Sequence, residues 1–145
     1  MNMDNNLEKL NDNELEQVAG GAAAGGTIAS GSFASNTGTQ LNLLVSWSVR
    51  NDIYGQKTLY VDVCATSISL YSGPTGVELT ADGVTYAASA TPVNYGGSTM
   101  VTNVLASFSI PNLSGPVNLS AVWHFNGSYS GVPIGDIRAT GTATV

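Results

Sequence analysis

Leu41-Asn42-Leu43-Leu44-Val45-Ser46-Trp47-Ser48-Val49-Arg50 is the stretch that decides the fold. Leu41, Leu43, Val45, Trp47 and Val49 alternate with Asn42, Ser46, Ser48 and Arg50, and a period of two buries one face of a strand while wetting the other. The pattern returns downstream. Val117, Leu119, Ala121, Trp123 and Phe125 oppose Asn118, Ser120, His124 and Asn126, and Val104, Ala106, Phe108 and Ile110 oppose Asn103, Ser107 and Ser109. Leu59, Val61, Val63 and Ala65 share one parity but Ile68 and Leu70 share the other, which predicts a bulge or bend near Thr66-Ser67 where the chain crosses between sheets.

Weaker alternation over 27–34, 84–91 and 134–145 brings the expected number of strands to about seven. Turn chemistry separates them at Asn51-Asp52, Ser72-Gly73-Pro74, Asp82-Gly83, Tyr95-Gly96-Gly97, Pro111-Asn112 and Gly115-Pro116. The expected fold is therefore all-β, an Ig-like antiparallel β-sandwich of about seven strands over residues 27–145. The paired cysteines of true immunoglobulin domains are absent, because Cys64 stands alone.

Composition narrows the function classes. The 145 residues suit one domain, and with 43% hydrophobic they fill a single core. Four Lys and Arg leave no basic stripe for a nucleic-acid backbone or an anionic membrane surface. No stretch approaches the roughly 18 apolar residues of a membrane span, so no transmembrane segment is expected. One His and one Cys supply neither a structural zinc site nor an intrachain disulfide, and no cofactor is expected. An enzyme is not expected either, since no nucleophile–base–orienter set or paired-carboxylate motif is present.

Two kinds of polymer meet near Gly21. Five acids against one base leave −4 in residues 1–21, and five against three leave −2 in the remainder, together the formal −6. Every aromatic, proline, serine and threonine follows Gly21. Residues 22–26, Ala22-Ala23-Ala24-Gly25-Gly26, carry nothing larger than a methyl and form an accessible linker. The acidic start and the lack of a long apolar run disfavour a Sec signal peptide.

Within residues 1–21, Leu7, Leu10, Leu15 and Val18 fall inside an arc of about 140° at 100° per residue, an apolar stripe suited to docking in a groove. Asn11 and Glu14 have capping-box spacing, so a short helix is predicted to start near Asp12. Alone it is marginal, because helices under about 12–15 residues need a partner to persist. An acidic, frayed terminus is the plain alternative.

Leu10, Glu14, Leu15, Val18, Gly20 and Gly21, in that order and spacing, resemble the double-glycine leader peptides of bacteriocin and related peptide precursors. Asn11 stands where that family commonly has Ser, and it keeps a capping side chain. The resemblance covers residues 1–21 only. It implies cleavage between Gly21 and Ala22 by the cysteine-peptidase domain of a peptidase-containing ABC transporter, with export of residues 22–145 to the exterior or cell surface. The glycines let an extended chain enter a narrow cleft, while the docked helix selects the bond. Gly25-Gly26 is the wrong pair, because the same spacing then puts Gly20 where Leu15 belongs and Ala23 where Val18 belongs.

In the body, His124 lies on the polar parity of its strand and reads as a surface histidine. Cys64 reads as a small, inert strand residue. Asp52, Asp82 and Asp136 lie in predicted loops without EF-hand spacing and read as turn residues. The exposed parities are chiefly Ser, Thr and Asn, which weakens charge protection against edge-to-edge association. The expected product is an exported binding, structural or self-assembling module; a bacteriocin-like antibacterial effector is the alternative, suggested by the leader class alone.

Overall fold

Every alternating stretch gives a strand in the computed structural model, which describes residues 26–145 and has no helix among them. In chain order the strands are β1 (Thr27–Ala34), β2 (Asn42–Asn51), β3 (Lys57–Ser67), β4 (Leu70–Ser72), β5 (Thr75–Ala81) and β6 (Val84–Ala90). They continue as β7 (Val93–Tyr95), β8 (Val101–Pro111), β9 (Pro116–Trp123), β10 (Gly127–Tyr129), β11 (Val132–Ile134) and β12 (Ile137–Thr144). One four-stranded sheet has the order β1-β2-β3-β8 and the other β12-β9-β5-β6, with all neighbours antiparallel. Two short ladders, β4 with β7 and β10 with β11, complete the set.

The described residues thus hold twelve strands rather than about seven. β5 accounts for one difference: Val77, Leu79 and Ala81 do alternate, but the segment is squeezed between two turn signals. The four three-residue strands account for the rest, since three residues are too few to show a period.

The two sheets pack face to face. Leu43, Val45 and Val49 of β2 and Leu59, Val61 and Val63 of β3 are fully buried on one side; Val77 and Leu79 of β5 and Leu119, Ala121 and Trp123 of β9 answer from the other. At one flank β12 lies against β1 and β2, and at the other β6 lies against β8. Trp123 is the largest fully buried side chain, its ring 4.8 Å from that of Phe125. Its indole N–H donates to Thr75 Oγ1 at 2.9 Å, so burial leaves no orphan donor there.

One expected parity fails. The register of β3 against β8 slips between Val63 and Cys64, pairing Val63 with Ala106 and Cys64 with Val104, so Leu105 is an extra residue. This bulge turns Leu105 inward and leaves Val104 48% exposed, where alternation had placed Val104 in the core. Asn103 turns inward as well, and its Nδ2 has no partner among the described residues. The expected break near Thr66-Ser67 is a bend at Ile68-Ser69, after which the chain passes through β4 into the second sheet at β5. The Tyr95 hydroxyl fastens that corner on the buried Ser67, donating to its carbonyl at 3.0 Å and meeting its hydroxyl at 2.7 Å. No helix among the described residues is long and apolar enough to cross a membrane.

Candidate functional site

On the outer face of the first sheet, pairing register builds two rows across four strands. One is Ser30, Ser48, Tyr60 and Ser109; the next is Ser32, Ser46, Asp62 and Ser107. These are the polar parities of strands whose other faces are buried, so the core that fixes the register also fixes the rows. The Arg50 guanidinium lies 4.9 Å over the Tyr60 ring, and Ser107 Oγ donates to Asp62 at 2.6 Å. Ser30, Ser32, Ser46, Ser48, Arg50, Tyr60 and Asp62 line a shallow depression of about 600 Å³. The face offers hydroxyls, one carboxylate and one stacked guanidinium to a polar ligand or surface. It places no imidazole beside a hydroxyl, because the single histidine sits on the other sheet.

Farther along the same face the row changes character: Ala34, Leu44, Cys64 and Val104 are neighbours. Cys64 is buried there, and burial first, then the Asp62 charge, pushes its thiol above the usual value. Both effects disfavour the thiolate that would make it reactive.

His124 occupies the outer side of the second sheet, just past β9, with its backbone N–H donated to the Gly76 carbonyl at 2.9 Å. Its Nδ1 stands 2.9 Å from Asp136 and its Nε2 stands 3.6 Å from Glu78. His124 and Asp136 flank the β10–β11 hairpin, whose neck Asn126 N–H also closes by donating to the Gly135 carbonyl at 3.2 Å. The hydrogen bond to Asp136 is the main reason its pKa is raised; partial burial opposes this, and the Asp136 and Glu78 charges add to it. The two carboxylates approach opposite ring nitrogens, so they do not converge on one ligand point. Among the described residues no group of three or more His, Cys, Asp and Glu is placed to hold a metal.

The remaining loop aspartates serve the backbone. Asp52 accepts from the N–H groups of Tyr54 at 2.8 Å and Gln56 at 2.9 Å, holding the tip between β2 and β3. Asp82 accepts from Asn118 N–H at 2.9 Å and ties the β5–β6 hairpin to β9. The His124 partnership escapes sequence reasoning because Glu78, His124 and Asp136 come from three separate segments; only its surface parity is visible.

The residues assigned to leader recognition, Leu7, Leu10, Glu14, Leu15 and Val18, and those at the cleavage site, Gly20, Gly21 and Ala22, lie outside the described residues. No family model matches the chain, and no curated protein or solved structure matches it either.

Proposed function

We propose that the chain is the precursor of an exported small β-sandwich protein. Residues 1–21 act as a double-glycine leader gripped by a peptidase-containing ABC transporter, which cuts after Gly21 and releases residues 22–145 outside the cell. The released part is a non-enzymatic module that binds a partner, contributes to a surface or associates with itself. The observation that carries this reading is the spacing of Leu10, Glu14, Leu15, Val18, Gly20 and Gly21, six positions at fixed intervals in a segment whose composition differs from everything after it. The hydroxyl rows of the first sheet support the second half, since they offer hydrogen bonds over a broad face without setting a base beside a nucleophile.

The test is the N-terminal residue of exported material from cells that carry such a transporter. Ala22 is expected; Met1 on released protein overturns the scheme. Replacing Leu15 and Val18 by aspartate is expected to abolish maturation, because charge in the apolar stripe removes the docking surface. A growth-inhibition assay with the released part separates the module from the antibacterial effector, and clear zones at low concentration replace the former by the latter.

A further inference from the structure

The geometry points to β6 as a self-pairing edge: the strand joins antiparallel to β6 of a second copy about a two-fold axis at Ala87. This deepens the self-assembling side of the proposed function, yet it stands on strand geometry and not on leader removal. Failure of cleavage at Gly21 leaves it untouched, and a strictly monomeric chain leaves the leader reading untouched.

Four strands end the two sheets, and three are guarded against pairing. The register of β1 is irregular between Thr27 and Ala29, β8 carries the Leu105 bulge and ends in Pro111, and β12 bears Arg138 and Gly141 and lies against β1. Charges, prolines, glycines and bulges are the ordinary protection of an exposed edge. The remaining edge, Val84-Thr85-Tyr86-Ala87-Ala88-Ser89-Ala90, has none of them and keeps an unbroken register with β5.

The hydrogen-bond phase of β6 follows from its turn. Asp82 and Gly83 have φ of 47° and 86° and form a two-residue loop, which makes Ala81 and Val84 a hydrogen-bonded pair, with Leu79–Tyr86 and Val77–Ala88 following in step. The opposite side of β5 agrees: Asp82 N–H donates to the Asn118 carbonyl at 3.0 Å, and the Gly76 carbonyl accepts from His124 N–H, so even-numbered positions there serve β9. Thr85, Ala87 and Ser89 therefore direct their N–H and C=O groups away from the sheet. Thr91, next in that series, already donates to the Leu105 carbonyl of β8 at 2.9 Å, which closes the far end. The open stretch is the one centred on Ala87.

A second copy supplies the complement by symmetry. Ala87 meets Ala87 and Thr85 meets Ser89, about six backbone hydrogen bonds in all. Between them Tyr86 meets Ala88, and Val84, 54% exposed, meets Ala90, so each large side chain faces a small one. No charged side chain lies in the seam, and the formal −6 of the full chain is screened over about 8 Å at physiological salt, which limits repulsion between copies. A single seven-residue edge buries well under the roughly 1,200 Å² of a stable interface. Association is therefore concentration-dependent and not obligate, even with the exposed Met100, Val101 and Val104 of the adjoining β8 region.

Sedimentation equilibrium of the full chain up to millimolar concentration is expected to show mass rising from 14.8 kDa toward twice that value. Ala87→Pro removes an outward N–H without touching the β5 ladder, and Ala87→Lys sets like charges together in the seam. Each is expected to weaken association at least about tenfold, with circular dichroism unchanged for Ala87→Lys. Thr142→Lys, exposed on β12, is expected to leave association unaltered. The register has its own readout: a short thiol-to-thiol cross-linker is expected to capture Ala87→Cys as a dimer and Thr85→Cys alone as a monomer, Cys64 being buried. A monomer at millimolar concentration, or Ala87→Cys that stays uncaptured, overturns the inference, as does a dimer indifferent to Ala87→Lys.

Discussion

The ring of Phe33 fills the space that any side chain at Gly141 would need: a Cβ built there falls within 2.9 Å of Phe33 Cε2 and closer still to two other ring atoms. Gly141 lies in β12 and Phe33 in β1, so this contact joins the two sheets at one flank. The backbone of Gly141 is not in the left-handed region, which makes the requirement one of space alone. Gly141→Ala is expected to cost about 1–3 kcal/mol, the usual penalty for overpacking. Adding Phe33→Ala should relieve part of it, with a coupling of about 1 kcal/mol in a double-mutant cycle by urea denaturation. Strictly additive losses would show that the two residues do not share that space.

Thr75 supplies the hydroxyl acceptor for the Trp123 indole, whose ring is fully buried. Thr75→Val keeps the shape and removes the acceptor, leaving a buried N–H unsatisfied at a cost of about 1–3 kcal/mol. Thr75→Ser retains the oxygen and should recover most of that loss. Unfolding followed by tryptophan fluorescence checks both, and equal stabilities for the two variants would count against the hydrogen bond.

What alternation makes legible here is each strand with a long, one-sided period: Leu41 to Val49, Leu59 to Ala65 and Val117 to Trp123 are buried where the pattern puts them, with Trp47 half-buried at the margin. What it hides is local slippage. Nothing in Asn103-Val104-Leu105-Ala106 says which residue is the extra one; that emerges only in the register with the facing strand, which slips between Val63 and Cys64 and buries Leu105 in place of Val104. Site geometry is hidden for a related reason. Rows such as Ser32, Ser46, Asp62 and Ser107 exist only once register is set, and the His124 clasp needs β5, the end of β9 and the segment before β12 to converge.

The clasp has a pH dependence with a definite sign. Because the folded pKa of His124 is raised, the folded state holds the proton more tightly than the unfolded chain does. The resulting stabilisation is fully present below the ordinary value of 6.5 and is lost as pH climbs through the folded value. Once neutral, the ring can still donate from Nδ1 to Asp136 but presents a lone pair toward Glu78. Stability measured relative to His124→Gln is therefore expected to fall as pH rises above about 6.5, and an NMR titration should place the midpoint above that value. A midpoint at or below it would refute the clasp, and Asp136→Asn should lower it more than Glu78→Gln, since the Asp136 hydrogen bond is the larger cause.

Cys64 makes a prediction about the folded protein under oxidising conditions, where a lone thiol ordinarily invites intermolecular disulfides. Its neighbours across the strands are Leu44 and Val104, it is 4% exposed, and burial together with Asp62 raises its pKa. Reaction needs both access and thiolate, and each unit by which the pKa rises removes about nine-tenths of the thiolate at fixed pH. Alkylation of the folded chain at pH 8 is thus expected to run at least about tenfold slower than in denaturant, and oxidation should yield no disulfide-linked dimer while the sandwich is folded. Asp62→Asn should speed alkylation only slightly, since the charge is the smaller cause and the cover is unchanged. Val104→Ala should speed it more, because the bulge at Leu105 places that side chain beside Cys64 on the outer face. If Asp62→Asn instead proved the stronger of the two, charge rather than burial would govern this thiol.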